Sequence, residues 1–214
     1  MTIELTTLAW VPPVSQGYVK DLRVRWALEE AGLPYHATLI DWELLASDDY
    51  RRRQPFGQVP AFKDDVVELF ESGAIVLHLA SRSEALAPRD DAGRARVTSW
   101  VIAALNSVEP YVQNVVQRGR AGNAWTAEHQ PELERMMDAR LTALSRWLEG
   151  KDYLEGRFTA GDLMMTTVVR ELVDCGALAR YPNLDAYRRR CEARPAFARA
   201  LEAQLQLFRD HAPP

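Results

Sequence analysis

The chain has 214 residues, 26 of them basic and 30 acidic, a formal net charge of −4. That is long enough for one large domain or two small ones, and the near balance of charge gives no general reason to expect nucleic acid or an anionic membrane as partner. No stretch reaches the roughly 18 apolar residues of a membrane span. Two cysteines, Cys175 and Cys191, lie far from any Cys-x-x-Cys arrangement and read as incidental thiols of a reducing compartment. Strand pattern begins at once after Met1, so no signal peptide is expected, and the whole reads as soluble and cytoplasmic.

Residues 3–10 are β-branched and apolar enough for a short buried strand, ended by Pro12-Pro13. A helix is expected from Ser15 or Gln16 to Ala31, with Val24, Ala27, Leu28 and Ala31 on one face and Gly32 and Pro34 as its stop. Residues 35–40 suggest a second strand, and 42–53 a helix or loop whose Arg51-Arg52-Arg53 run is expected to be solvated. A third strand at 61–63, a tight turn at Asp64-Asp65, a fourth strand at 66–70 and a helix opening at Ser72 complete an order β-α-β-α-β-β-α. One right-handed βαβ unit followed by a hairpin and helix makes a small four-stranded mixed sheet with helices on both faces.

Residues 81–93 are polar, carry a proline and read as a linker. Beyond them only helical pattern remains: 94–117 with a kink at Pro110, then 131–149, 162–175, 183–193 and 196–208. Thr159 with Asp162 three residues later has the form of a capping box, a folding element. The expected division is therefore 1–81, a linker over 82–93, and an all-helical domain over 94–214. The four histidines, His36, His78, His129 and His211, show no triad or metal spacing and read as surface or structural residues; no metal is expected.

The stretch with chemical content is 54–81. At Glu71-Ser72 a strand ends and a helix begins, which offers unsatisfied backbone N–H groups and the positive end of a helix dipole to a carboxylate. Val59-Pro60 lies just upstream, where a cis prolyl bond would expose the Val59 backbone to an extended ligand. Gln58 is expected to cap the turn or to help with the ligand.

These motifs together resemble the cytosolic glutathione S-transferase family. The resemblance runs through Arg23-Val24-Arg25 and 27–35, Pro55-x-Gly57-Gln58-Val59-Pro60, Glu71-Ser72-Gly73-Ala74-Ile75, Gly156-x-Phe158-Thr159-x-x-Asp162, Tyr181-Pro182-x-Leu184 and Arg194-Pro195-Ala196-Phe197. It implies a thioredoxin-like N-terminal domain and an all-helical C-terminal one, glutathione as co-substrate, a small hydrophobic electrophile as second substrate, a detoxification role and a homodimer. By the same resemblance Ser72 would hold the γ-glutamyl carboxylate, Glu71 would face the γ-glutamyl ammonium, and Val59, before a cis Pro60, would pair with the cysteinyl backbone as an added strand.

The chemistry needs a thiolate, and a free thiol ionises only near pH 8.5, so lowering its pKa by about two units takes roughly 2.7 kcal/mol of selective stabilisation. Family members place a Tyr, Ser or Cys near the start of the first helix. Here counting back from Leu28 lands on Tyr18, whereas counting forward from the first strand favours Ser15 at the helix N-cap; both stay open as the donor. No cysteine lies in this region, which weighs against mixed-disulfide chemistry. The electrophile is expected between the loop after the first strand and helix 94–117, with Trp10, Val11, Ile102, Asn106 and Glu109 as walls and Trp100 and Leu105 as core. Peroxide reduction, disulfide reduction, isomerisation, or glutathione binding without catalysis are the alternatives on the same fold.

Overall fold

The structure is a computed structural model that describes residues 2–121 and 124–213. Two compact units divide the chain: Met1–Leu86 with Arg194–Pro214, and Ala87–Ala193.

The first unit is built on four strands, β1 (Glu4–Leu8), β2 (His36–Ile40), β3 (Ala61–Lys63) and β4 (Glu68–Phe70), in the order β2-β1-β3-β4. β1 pairs parallel with β2 and antiparallel with β3, and β3 pairs antiparallel with β4. The parallel pair requires a crossover, which α1 (Asp21–Ala31) supplies. Short helices α2 (Trp42–Ala46) and α3 (Asp48–Arg51) lead from β2 towards the hairpin, and α4 (Ser72–Ala80) follows it. Ala61 and Phe62 are neighbours on one strand and so face opposite ways. Ala61 joins Leu8, Val11, Ile40, Tyr50 and Phe208 in one apolar cluster, while the Phe62 ring meets His78 of α4 at 5.7 Å on the other side. The order β-α-β-α-β-β-α is as expected; a second short helix fills the segment that read as helix or loop.

Three expectations give way. The first helix begins at Asp21, because Pro13–Ser15 forms a separate 3-10 turn and Gly17 (φ +79°) takes a left-handed conformation that ends it. Lys20, not Ser15, is the N-cap of α1. Arg53, expected in solvent, bridges Glu4 of β1 (3.0 Å) and Glu68 of β4, tying the end of α3 to the sheet. The last helix, α10 (Pro195–Asp210), packs on α1 within the first unit: Trp26 and Phe197 meet edge to face at 4.8 Å, and Arg194 pairs with Glu30 at 2.6 Å.

The second unit is helical: α5 (Asp91–Ala103), α6 (Glu109–Ala121), α7 (Ala124–Trp147), α8 (Ala160–Val169) and α9 (Pro182–Glu192). The segment before α5 is not simply polar, since Leu86 and Ala87 are buried, and Asp90 caps the helix through Gly93 N–H at 2.7 Å. The kink expected at Pro110 takes the form of a widened π turn over Ala104–Val108, the local adjustment that a missing N–H and a ring inside a helix call for. Pro131, which reads as a helix start, lies inside α7. The capping box is present, and the buried Asp162 accepts from Leu154 N–H (2.9 Å), Thr159 N–H (2.9 Å), Thr159 Oγ1 (3.1 Å) and Tyr187 OH (3.0 Å).

Asp64 does for the hairpin what Asp162 does for α8. Its carboxylate accepts from Val66 N–H (2.8 Å) and Val67 N–H (2.9 Å) and meets His78 Nε2 (2.8 Å) and Arg82 Nη1 (2.7 Å), so the β3–β4 turn is fastened to α4. Burial opposes its ionisation, but the bonds from His78, Val67 and Val66 and the charge of Arg82 outweigh this and hold it well below the usual carboxylate range. A depressed native pKa gives stability that is complete above the ordinary value of 3.8 and is lost as pH falls towards the native one. Asp64→Asn should therefore cost about 3 kcal/mol in urea unfolding at pH 7. The gap from the parent should narrow as the pH is taken below 4; a gap independent of pH would contradict this account.

Candidate functional site

The start of α4 is the place to begin. Glu71 occupies the N-cap position at φ 68°, ψ 115°, and is the one non-glycine residue with positive φ among the described residues. Its side chain makes no capping bond. The side chains that ordinarily satisfy the N–H groups of the first turn are Ser, Thr, Asp and Asn; Glu71 makes no such bond, and its backbone conformation costs about 1–3 kcal/mol. The first intrahelical bond runs from Ile75 N–H to Glu71 C=O at 3.0 Å, so the N–H groups of Ser72, Gly73 and Ala74 have no acceptor within the helix. Ser72 is buried and Glu71 exposed. The junction is an anion cradle whose own cap leaves it open, which a purely structural helix start does not need.

Val59-Pro60 is cis. Among the described residues neither the N–H nor the C=O of Val59 forms a backbone hydrogen bond, and Pro60 is buried beneath it. The turn that delivers Val59 is not capped by Gln58, whose side chain is exposed. Gln54 caps it: its buried Oε1 accepts from Phe56 N–H (2.8 Å) and Gln58 N–H (3.1 Å). Tyr50 adds a hydrogen bond from its hydroxyl to Gln58 C=O at 2.7 Å. Burial pushes that phenol up to about 12, so it remains a donor throughout the neutral range. Sequence reading missed both residues; the one available signal was a glutamine set among turn formers, two residues before Phe56-Gly57.

Segment 9–20 holds the two expected donors. Ser15 closes the 3-10 turn, with its N–H on Pro12 C=O at 2.8 Å, and Tyr18 N–H donates to Ser15 C=O at 3.0 Å. Gln16 is engaged within the loop, its Nε2 donating to Val11 C=O at 3.1 Å. Ser15 and Tyr18 are both partly exposed, but only Tyr18 is three residues from the start of α1. The buried Asp21 in that first turn is matched by Arg25 at 2.7 Å and by Gln204 Nε2 of α10 at 2.5 Å. Burial works to lower the Arg25 pKa, and Asp21 overrides it and holds the guanidinium above its ordinary value. Gln204 also reaches Val19 C=O at 3.3 Å, and Leu201 Cδ1 stands 3.3 Å from where a side chain on Gly17 would begin. The last helix thus holds the loop that carries Tyr18.

Of the expected electrophile residues, Trp10 is half-buried, but Val11 is 3% exposed and belongs to the apolar cluster under the sheet, so its side chain is core. In the second unit Ile102 is half exposed on α5, Asn106 is exposed in the π turn and Glu109 is partly buried at the start of α6. Trp100, expected in the core, is partly buried and donates Nε1–H to Glu155 at 2.8 Å. A cavity of about 540 Å³ in the second unit, lined by Val115, Met137, Glu171, Asp174, Cys175 and Arg180 among others, contains none of the expected site residues.

Comparison with known proteins agrees with this geometry. The family model described as "Glutathione S-transferase, N-terminal domain" matches residues 17–81, the span from Gly17 to the end of α4. Glutathione S-transferase F11 of Arabidopsis thaliana is 32% identical over 163 residues, covering 70% of this chain and 76% of that one. The chain belongs to the glutathione S-transferase family. A solved glutathione transferase family member from Pseudomonas fluorescens, with two glutathione molecules bound, matches at a TM-score of 0.80 and 25% identity over 94% of this chain and 92% of that one. Within the family the names diverge: disulfide-bond oxidoreductase YfcG of Escherichia coli is 28% identical over 199 residues, 83% of this chain and 88% of that one. The thioredoxin-like order of the first unit and the helical region after it are those of the family.

The strain at Glu71 can be tested apart from any reaction. Glu71→Gly should raise unfolding stability by about 1 kcal/mol, the relief of the unfavourable φ less the entropy of a glycine. A loss of more than about 1 kcal/mol would contradict the reading of Glu71 as a strained residue.

Proposed function

We propose that the chain is a glutathione transferase that binds glutathione along 58–72, ionises its thiol beside the start of α1, and directs the thiolate at a small apolar electrophile. The observation that carries this reading is the open N-terminus of α4. A strained Glu71 without a capping bond and three backbone donors without helical acceptors suit a carboxylate ligand. The γ-glutamyl carboxylate is assigned to Ser72 and the N–H groups of the first turn, and the γ-glutamyl ammonium to Glu71. The cysteinyl backbone is assigned to Val59, whose N–H and C=O form no backbone hydrogen bond among the described residues and can add a strand-like pair of bonds. Gln58 is left a minor part, since the turn is capped by Gln54.

Tyr18 is the better supported thiolate donor. The case for Ser15 rested on an N-cap position that Lys20 occupies, whereas Tyr18 precedes α1 by three residues and lies where the helix dipole favours an anion. One phenolic hydrogen bond and the helix end together are of the size that a two-unit drop in thiol pKa needs, about 2.7 kcal/mol. Bringing thiolate and electrophile together supplies the rest of the rate. Trp10, Ile102, Asn106 and Glu109 are proposed to meet the electrophile. A homodimer, a cytoplasmic setting and a detoxification role belong to the same proposal.

Disulfide reduction is the second reading, favoured by the similarity to a disulfide-bond oxidoreductase. With no cysteine in the 9–20 loop, such a reaction would use two glutathione thiols and no enzyme thiol there. Retention on immobilised glutathione, followed by assays with a chloronitroarene and with a glutathione-accessible disulfide, separates binding, conjugation and reduction. Tyr18→Phe should raise the apparent pKa of the bound thiol by about one unit, read from thiolate absorbance near 240 nm, and slow conjugation about tenfold. Ser15→Ala should leave both nearly unchanged. The reverse pattern would transfer the role to Ser15, and no shift in either variant would remove side-chain donation from the mechanism.

A further inference from the structure

The buried stripe of α10 consists of Ala196, Phe197, Ala200, Gln204 and Phe208. Gln204 is its polar member and is 0% exposed. Desolvating an amide there costs free energy, and an apolar side chain of the same length would fill the position without that cost. Nor is Gln204 needed to attach the helix. The Trp26–Phe197 contact and the Arg194–Glu30 and Arg199–Glu29 pairs already join α10 to α1. What Gln204 adds is a clamp on the start of α1: its Nε2 donates to Asp21 Oδ1 at 2.5 Å and to Val19 C=O at 3.3 Å. Both partners are acceptors, so the amide nitrogen is the atom that faces them. Its Oε1 has no hydrogen-bond partner among the described residues, so the donor half of the amide is the half engaged.

The clamp closes on the residues that flank Tyr18. Val19 C=O also accepts from Leu22 N–H at 3.0 Å, so Gln204 holds the carbonyl on which the chain turns into α1. Asp21 is fixed from its other side by Arg25 at 2.7 Å. Upstream of Tyr18, Leu201 of the same helix stands 3.3 Å from where a side chain on the left-handed Gly17 would begin. Tyr18 thus lies between two contacts made by one face of α10.

We propose that Gln204 is a positioning residue for thiol ionisation: from α10 it holds residues 19–21 and, through them, the direction of the Tyr18 hydroxyl towards the glutathione sulfur. The inference rests on the assignment of Tyr18 as thiolate donor and deepens it. A hydrogen bond weakens steeply as it is misaligned, and catalytic groups need placement to within about half an ångström. Loss of the clamp therefore weakens donation to the thiolate, while the peptide part of glutathione, assigned to 58–72, keeps its affinity. A residue that merely fills the seam between α1 and α10 would change stability and leave the thiol pKa where it is.

A double-mutant cycle with Tyr18 tells the two apart. The apparent pKa of bound glutathione, read from thiolate absorbance, is measured with kcat, the KM for glutathione and the thermal transition. The proteins are the parent, Gln204→Met, Tyr18→Phe and the Tyr18→Phe/Gln204→Met pair. Phe197→Leu is the control, since it loosens α10 against Trp26 and keeps the clamp. Gln204→Met preserves the length of the side chain and removes its donors. It should raise the thiol pKa by about half a unit and lower kcat near neutral pH about threefold, with the KM for glutathione within about twofold. Phe197→Leu should lower the thermal transition and leave the pKa unchanged. In the Tyr18→Phe background Gln204→Met should add little, because its effect passes through a hydroxyl already removed. An unchanged pKa in Gln204→Met, an equal shift in Phe197→Leu, or additive shifts in the pair overturn the proposal. Should Gln204→Met fail to fold, Gln204→Asn decides it. That variant keeps the amide but draws it back by one methylene, so the pKa must rise in the same sense, and an unchanged value overturns the proposal. A Tyr18→Phe that shifts the pKa beside a Gln204→Met that does not refutes this inference alone. A Tyr18→Phe with the parent's pKa refutes the donor assignment and this inference with it.

Discussion

The first turn of α4 has backbone donors that its own N-cap does not satisfy, and much of the first unit can be understood as holding that turn in place. Helix starts in proteins are ordinarily closed by a side chain or by water, since unsatisfied N–H groups cost free energy. Here the residue at the cap position is Glu71, which makes no capping bond and is held at a φ of 68°. Such a backbone persists only when its surroundings over-determine it. The surroundings are on hand: the β3–β4 hairpin fixes the approach through the register Ala61–Phe70, and Asp64 ties its turn to His78 and Arg82.

The same logic extends to the two sides of the cradle. Gln54 and Tyr50 shape the turn that presents the Val59 backbone, Tyr50 while its ring packs in the apolar cluster under the sheet. On the opposite flank α10 holds the loop before α1 through Gln204 and pairs with α1 through Arg194–Glu30 and Arg199–Glu29. The chain's last helix therefore serves its first loop. Buried polar groups of this kind add little net stability, but each is costly to break, which makes the geometry they define hard to change piecemeal. The anchoring of Asp21 by Arg25 and Gln204 also balances a buried carboxylate in the first turn of α1.

What could be read from the sequence was what depends on neighbours along the chain. The strands, the turn at Asp64-Asp65, the opening of α4 at Ser72, the cis Val59-Pro60 and the Thr159–Asp162 box all rest on residues a few positions apart. The start of α1 is not legible because Gly17 is tolerable in a helix, and only its φ reveals that it ends a 3-10 turn. Pro131 reads as a helix start because proline favours first positions, though α7 continues upstream of it. Illegible altogether were partnerships between distant polar residues: Arg23 with Ser72, Gln204 with Asp21, Arg53 with Glu4. In sequence a buried arginine and a surface arginine look the same. The apolar stripe of α10 likewise says that one face is covered without saying that α1 covers it.

The central claim is that the open end of α4 exists for the γ-glutamyl carboxylate. A crystal structure of the protein grown with glutathione tests it most directly. The account predicts that carboxylate within hydrogen-bond distance of Ser72 Oγ and of first-turn N–H groups, with the cysteinyl backbone paired to Val59. A well-ordered glutathione seated elsewhere, with the first turn of α4 facing only water, would contradict it.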